Sequence, residues 1–581
     1  MNADSQHSPP LKRTDALLPY AILVAVYVVC ILLVNPRGEF PLNDDWSYTR
    51  SAFLFGTHNR IAVDEFSAPN LVGQALYGGL LVKLFGRSFL VLRLSTLILS
   101  CAVACMLWKS LRLSGGSRRL AWFAALSWIF NPIQFWLSFT FMTEIPFLFL
   151  ICAAALAFSR YTVTQRTWPL VLCGAALGYA FLIRQTSAIF LAAAVLCLVI
   201  EKADLREKAL KLAAMASAAG VFIAAYYLLA PTRGGVTPAA QRKFELLRRL
   251  TTEQIVGNLF GSLYYLSFFL LPLLAWLVPA IRQRLSESGR RRWGRVFLGW
   301  MLFSHAGLLW FEAHYSQGPC LPARPFHSKM PFLLNILYDT GLGPVTLDPT
   351  YYGPPATPVH PHVWWAVTLF VTVGLAAMGL FCTWGIDALR PLARRSGRSL
   401  MVLFCFASLS FAVLFEIVFS HLQEGGLFDR HILTPALPLV LLIGLFAGTG
   451  SSSPEDVKIP LGKPASTVAA GLMIAVLSWF CVTATHDYMA WNRLRWELGN
   501  ELLGQKVDPL SISGGFEFNG WHNYDTFRAR GHIEKVYYWW YDREDYLITM
   551  EPQETYHIQK KVEYYSWLHL KNLPLYLLKR N

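Results

Sequence analysis

The sequence predicts an all-α polytopic membrane protein of about 13 transmembrane helices, N-terminus in and C-terminus out, with a small α/β extracytoplasmic domain at its C-terminal end. Three observations predict it. Hydrophobic residues make up 54% of the 581 and charged residues only 15%, far from the composition of a soluble domain. Several separate runs reach the roughly 18 to 20 apolar residues that a bilayer-spanning helix needs. Lys and Arg gather in short connections between those runs, so the formal charge of +15 (51 Lys+Arg against 36 Asp+Glu) reads as cytoplasmic-loop bias and not as nucleic-acid binding.

The first run, Leu17 to Val34, is long and is followed by Asn35-Pro-Arg-Gly-Glu39 instead of a small-residue cleavage site, which argues for a span over a cleaved signal peptide. Further spans are read near 89–108, 120–138, 145–159, 168–183, 186–200, 209–230, 259–280, 296–311, 363–382, 400–419, 432–447 and 467–484. Three connections are strongly basic: Lys109, Arg112, Arg118 and Arg119; then Arg282, Arg284, Arg290, Arg291, Arg292 and Arg295; then Arg390, Arg394, Arg395 and Arg398. All three share one parity and are assigned to the cytoplasm. An odd number of spans then puts the loop after the first span, the turn Phe139–Glu144 and the tail on the outer face.

Four outer segments exceed a turn: 35–88, 231–258, 312–362 and 485–581. Within the first, apolar stretches such as Leu71–Tyr77 are too short to cross and read as amphipathic surface helices. The segment 312–362, rich in Pro, Gly and Tyr, reads as an irregular loop able to close over a site. The tail combines a helical pattern at Tyr488–Trp496, the stretch Ile512–Trp521 and β-leaning runs near 533–549 and 556–580. The chain therefore divides into a membrane domain, 1–484, and an outer α/β domain, 485–581. The aromatic run Tyr537-Tyr-Trp-Trp-Tyr541 is either a sugar-stacking surface or core. Of ten cysteines all but Cys320 fall in or beside apolar spans, which leaves no disulfide framework and no zinc spacing.

Chemistry concentrates where the spans meet the outer face. Asp44 and Asp45, in Pro41-Leu-Asn-Asp-Asp-Trp-Ser-Tyr48, follow the first span, and Glu144 stands in a second outer turn, Phe141-Met-Thr-Glu-Ile-Pro146. Arg184 and Arg430 lie at outer ends of spans, against the positive-inside bias. A hydroxyl that attacks the anomeric carbon of a sugar needs a base, and a carboxylate is the usual choice. A lipid-phosphate leaving group needs positive charge instead of an acid. One or two outer carboxylates with a few basic residues at the membrane boundary are thus the kit for moving a sugar off a lipid phosphate. Each residue also has a plain structural use. Asn43, Asp44 and Asp45 suit a helix N-terminus, Glu144 suits the helix opening at Ile145-Pro146, and interfacial arginines commonly snorkel to headgroups. Adjacent side chains diverge by about 100° on a helix, so Asp44 and Asp45 are not expected to address one atom.

These motifs, in this order, resemble those of the polytopic glycosyltransferases of the C superfamily, in the branch of the protein O-mannosyltransferases and lipid A aminoarabinose transferases. Asp44-Asp-Trp-Ser-Tyr48 is similar to that branch's first-loop Asp-Glu-x-x-Tyr, with Asp44 in the place of the catalytic Asp. Phe141-Met-Thr-Glu144 resembles the second-loop motif, where Asp is commoner. Leu84-Phe-Gly-Arg-Ser-Phe-Leu-Val-Leu-Arg93 resembles the Gly and Arg pattern leading into the second span. Gly178-Tyr-Ala-Phe-Leu-Ile-Arg184 falls where relatives carry a Lys or Arg that meets the carrier phosphate, and Phe428-Asp-Arg-His431 is similar to a late-loop Arg-Tyr. The resemblance spans roughly residues 15–450. It departs at the first-loop His-Pro-Pro, replaced by Ser67-Ala-Pro-Asn70, and at Asp45, where Glu is expected.

The resemblance implies a polyprenyl-phosphate sugar donor, inversion, a glycan, lipid or protein acceptor, and no required metal or other cofactor, although a divalent metal is compatible with it. It further implies a multi-pass protein of the plasma (inner) membrane, surrounded by membrane lipids, with its active site on the outer face. Asp44 is read as general base with Asp45 as a second catalytic acid, Glu144 as orienting acceptor or donor, Arg184 with Arg430 as stabilising the leaving phosphate, and Tyr48 and Arg93 as contacts to substrate or phosphate. A lipid-linked sugar flippase is the alternative; it calls for ionisable residues deep within spans, where the sequence offers Glu416 and little else. A scaffold built around the outer tail would not need Asp44.

Overall fold

The computed structural model describes residues 13–229, 237, 241, 245, 249–286, 290–314, 330–344, 346–347, 359–389, 397–419, 427–447, 464–531 and 540–581. Cys320, most of 231–248, much of the loop 312–362 and the 533–539 part of the tail lie outside these residues.

Each of the predicted spans coincides with helix. In chain order these are α1 (Arg13–Val34), α4 (Phe89–Leu113), the pair α5 (Arg118–Ile129) and α6 (Pro132–Ser138), α7 (Glu144–Thr164), α8 (Trp168–Ile183), α9 (Ser187–Ile200), α10 (Leu205–Leu229), α11 (Thr252–Ser286), α12 (Arg290–His314), α13 (Pro361–Leu389), α14 (Gly397–Phe419), α15 (Leu433–Ala447) and α16 (Pro464–Gly504). Nine of them are long and apolar enough, among the described residues, to cross a membrane alone. The run read as 120–138 is a broken span: Asn131-Pro132 ends α5, and α6 leaves at 64°, because proline lacks the N–H that would continue the ladder. Helices α8, α9 and α15 have 16, 14 and 15 residues, about 21 to 24 Å at 1.5 Å per residue and short of a hydrocarbon core of about 30 Å.

The short α8 is seated by backbone contact. A Cβ on Gly174 would lie 2.1 Å from the carbonyl oxygen of Met215, and one on Gly178 2.7 Å from that of Ala219. Only glycine lets α8 and α10 approach this closely, the small-residue packing used where lipid supplies no hydrophobic drive between helices. That contact fixes the height of Arg184, the residue that ends α8.

The segment 35–88 holds two helices of 14 residues, α2 (Asp45–His58) and α3 (Val72–Phe85), too short to span and with half or more of each buried in the protein. On α3, Leu80, Leu84 and Phe85 remain exposed on the protein's own surface, an apolar edge available to lipid.

The division placed at 484/485 falls inside one continuous helix. The last span, α16, runs unbroken for 41 residues, so the outer domain is built on an extension of that span instead of hanging from a linker. Around its outer half fold α17 (Phe516–Ala529) and four strands, β3 (Ile512–Ser513), β4 (Tyr546–Thr549), β5 (Tyr556–Ser566) and β6 (Lys571–Arg580). The sheet order is β3-β4-β6-β5, with β3 parallel to β4 and the other pairs antiparallel. A small hairpin, β1 (Leu337–Tyr338) and β2 (Gly341–Leu342), packs against α16.

Alternation of the spans puts the ends of α1, α7, α8 and α15 that carry the candidate acids and arginines together, opposite the basic connections. A cysteine replacing Arg119, which is exposed, is therefore expected to resist an impermeant thiol reagent in intact cells, and one replacing the exposed Glu554 to be labelled. The reverse pattern would turn the whole arrangement inward.

Candidate active site

The loop leaving α1 is organised by Arg93 near the start of α4. Its guanidinium is 2% exposed. One terminal nitrogen donates to the carbonyls of Pro36 at 2.5 Å and Gly38 at 3.2 Å, the other to that of Phe40 at 2.7 Å. Arg93, expected as a substrate or phosphate contact, bonds three backbone carbonyls here and shapes the loop.

Asn43 then turns the chain in the left-handed region, φ 57°, and α2 begins. Asp44 occupies the cap position with helical backbone angles and makes no capping hydrogen bond. The neighbouring Asp45 takes the scaffolding task. Its Oδ1 accepts from the amide of Leu42 at 2.6 Å and its Oδ2 from the amide of Phe141 at 3.0 Å, which stitches the first outer loop to the second. Burial pushes the Asp45 carboxyl up to about 7, moderated by the Phe141 amide, the Arg93 charge and the Leu42 amide. Divergence of adjacent side chains sends Asp45 to the Leu42 and Phe141 amides and Asp44 to Arg430.

Glu144 opens α7, and its Oε1 accepts from Arg184 Nη1 at 2.7 Å. The same nitrogen of Arg184 lies 3.0 Å from Thr143 Oγ1. Arg430 stands in a 3-10 turn, Asp429–Ile432, directly before α15. Its Nη2 donates to Asp44 Oδ2 at 2.8 Å, and its Nε lies 3.6 Å from Glu144 Oε1, too far for a hydrogen bond. Charge therefore alternates along Asp44, Arg430, Glu144 and Arg184. Tyr48 is one helical turn from Asp44 and is buried within the field of all four. Burial, then the Asp44 charge, raises its hydroxyl well above the ordinary tyrosine range, so it stays protonated and able to donate.

Three polar atoms of this cluster stand out. Arg430 Nε and Nη1 and Glu144 Oε2 are buried without a hydrogen-bond partner among the described residues, a costly arrangement in a folded protein. An anion would accept from the arginine, and a hydroxyl would donate to the carboxylate. A sugar phosphate offers both. Among the described residues no three His, Cys, Asp or Glu side chains converge as metal ligands would.

Sequence reasoning missed Asp429, whose carboxylate accepts from the amides of Ile336 at 3.0 and 3.1 Å and Leu337 at 2.7 Å. It ties the described part of the loop 312–362 to the turn that carries Arg430. Its only signal was its place in Phe428-Asp-Arg-His431. Ser67-Ala-Pro-Asn70 also has a structural use: Asn70 donates to the Phe181 carbonyl at 2.7 Å and accepts from the Tyr226 hydroxyl at 2.8 Å, joining the first outer loop to α8 and α10.

Comparison with known proteins gives a family likeness over part of the chain. Residues 74–227 match the dolichyl-phosphate-mannose-protein mannosyltransferases, a segment that holds Arg93, Glu144 and Arg184 and lies between Asp44 and Arg430. No curated protein sequence matches the chain. Among solved structures the chain is similar to the archaeal oligosaccharyltransferase AglB from Archaeoglobus fulgidus, in complex with an inhibitory peptide and a dolichol-phosphate. That likeness has 14% identity over 81% of this chain and 56% of that one, with a TM-score of 0.39. The chain thus spans about half the length of that relative. It is also similar to ArnT from Cupriavidus metallidurans bound to undecaprenyl phosphate, with 12% identity over 97% of this chain and 98% of that one and a TM-score of 0.39. At those TM-scores the two likenesses carry no argument of their own.

Proposed function

We propose that this chain is a membrane glycosyltransferase of the C superfamily that moves a sugar from a polyprenyl-phosphate carrier to an envelope glycolipid, polysaccharide or protein on the outer face of the plasma membrane, with inversion. The observation that carries the reading is the alternating cluster at the outer ends of the spans, with its unpartnered Arg430 N–H groups and Glu144 oxygen.

Asp44 takes the proton of the acceptor hydroxyl as the hydroxyl oxygen attacks the anomeric carbon. The bond from that carbon to the phosphate oxygen breaks on the opposite face, which inverts the configuration. Its electron pair leaves with the polyprenyl phosphate, whose charge Arg184 and Arg430 hold. Glu144 keeps those two arginines apart and orients a sugar or acceptor hydroxyl, and Tyr48 donates a hydrogen bond within the same space. Because guanidinium charge stabilises the leaving group, no divalent metal is required in this scheme.

The test is direct. Purified protein in lipid bilayers is incubated with a panel of polyprenyl-phosphate sugars and with glycolipid, polysaccharide and peptide acceptors, with and without chelator. Free polyprenyl phosphate is expected to form in step with glycosylated acceptor, at the same rate under chelation, and the product linkage is expected to be of opposite anomeric configuration. A retained configuration would overturn the single displacement, and a chelator-sensitive rate would overturn the metal-free scheme.

A further inference from the structure

We infer that Glu517 of the outer domain is a positioning residue for Asp44, so that the C-terminal domain completes the active site. This rests on the reading of Asp44 as the base. Glu517 Oε1 accepts from the backbone amide of Asn43 at 2.8 Å, across 474 positions of sequence. Asn43 is the residue before Asp44 and holds the left-handed turn, φ 57°. The carboxylate is itself fixed. Its Oε2 accepts from Arg495 Nη2 at 2.8 Å, with both side chains 0% exposed. Arg495, on the outer half of α16, also donates to Asn492 Oδ1 at 2.7 Å and to the Gly514 carbonyl at 3.2 Å.

A second grip lies on the other side of Asp44. Trp46 is 0% exposed and sits among Phe66, Phe516, Tyr524 and Trp540, with ring centroids 5.2 to 6.3 Å away. Three of those four rings belong to the outer domain. Gly520 of α17 presses on the same indole, since a Cβ there would lie 2.9 Å from it. The outer domain therefore holds the residues at positions −1 and +2 from Asp44, while the Asp44 carboxylate points away from both grips to Arg430. Arg184 and Glu144 are held by α8 and α7, Arg430 by the turn before α15, and none of the three bonds to either grip. Disturbing the grips should misplace the base and leave the phosphate contacts in place. That separation distinguishes positioning from general stabilisation.

Two double variants isolate the contact. Arg495→Met with Glu517→Gln, and Arg495→Met with Glu517→Leu, both remove the buried ion pair and strand no charge. They differ in whether an acceptor remains for the Asn43 amide. The Leu pair is expected to turn over about 10- to 100-fold more slowly than the Gln pair, the scale of a displacement of the reacting group by about 1 Å, with equal Kd for polyprenyl phosphate. Equal turnover in the two pairs would overturn the inference. Should either pair fail to fold, Gly520→Ala supplies the measurement: a fall in turnover of about tenfold at unchanged Kd supports positioning. Unchanged turnover, or a fall in turnover accompanied by a matching rise in Kd, overturns it. Asp44→Asn is assayed alongside. If that variant is inactive while the two pairs match, the inference about Glu517 fails alone; if it turns over like wild type, the base assignment fails and takes this one with it.

Discussion

Replacing Asp44 with Asn is expected to lower turnover by about 10²- to 10⁴-fold, the usual cost of removing a general base, while folding, membrane insertion and carrier binding persist. The side chain keeps its shape, and its amide oxygen can still accept from Arg430 Nη2, which now donates to Asp44 Oδ2 at 2.8 Å. What disappears is the capacity to hold the acceptor proton. Asp45→Asn should behave differently. Asp45 accepts from two backbone amides, Leu42 and Phe141, so an Asn there must turn its own N–H₂ toward one of them. The loss should appear first in the melting temperature, at about 1 to 3 kcal/mol for a buried donor left unpaired. Turnover and thermal melting measured on both variants separate the two acids. Wild-type turnover in a purified Asp44→Asn protein would remove Asp44 from the mechanism.

The contrast between these neighbours marks how far sequence carries. The spans were legible because membrane insertion imposes length and apolarity on each segment locally, and helix lies at every predicted run. Arg184 and Arg430 stood out because basic residues at those ends of spans run against the positive-inside bias, and the structure brings them together with Asp44 and Glu144. Which of Asp44 and Asp45 faces the site depends on the left-handed turn at Asn43 and on the Phe141 amide, 96 positions away, so no local pattern shows it. The bonds of Arg93 were hidden for a similar reason. Its partners are backbone carbonyls of the preceding loop, and carbonyls carry no side-chain signature. The break at 484/485 was placed where hydropathy falls, yet helix hydrogen bonding does not depend on hydropathy, and α16 continues to Gly504. The bond from Glu517 to Asn43 is the extreme case: a contact across 474 positions that neither end announces.

Arg430→Ala should produce the second large effect, because this side chain serves the site in two ways. Without ligand it sits between two acids, bonded to Asp44 and 3.6 Å from Glu144. Removing it leaves Arg184 as their nearby counter-charge, so the variant should melt earlier, toward the several kcal/mol typical of breaking a buried pair. With donor bound, its unpartnered Nε and Nη1 are the groups free to meet phosphate. Losing a charged hydrogen bond costs about 1.5 to 3 kcal/mol, so the Kd for polyprenyl phosphate should rise about 10- to 150-fold. Arg430→Lys should recover much of the melting temperature by restoring charge but little of the affinity, since an ammonium cannot reproduce the planar fork. The flippase reading makes a different demand. A transporter would carry a polyprenyl-phosphate sugar across a liposome bilayer with no sugar transferred, and its rate need not follow the arginine that holds a leaving group. Carrier movement and polyprenyl phosphate release are therefore measured together in wild type, Arg430→Ala and Arg430→Lys. Release that falls in step with carrier affinity supports the transferase. Carrier that crosses the bilayer in all three, with no polyprenyl phosphate released by any acceptor, would make the protein a transporter and reduce the alternating cluster to its gate.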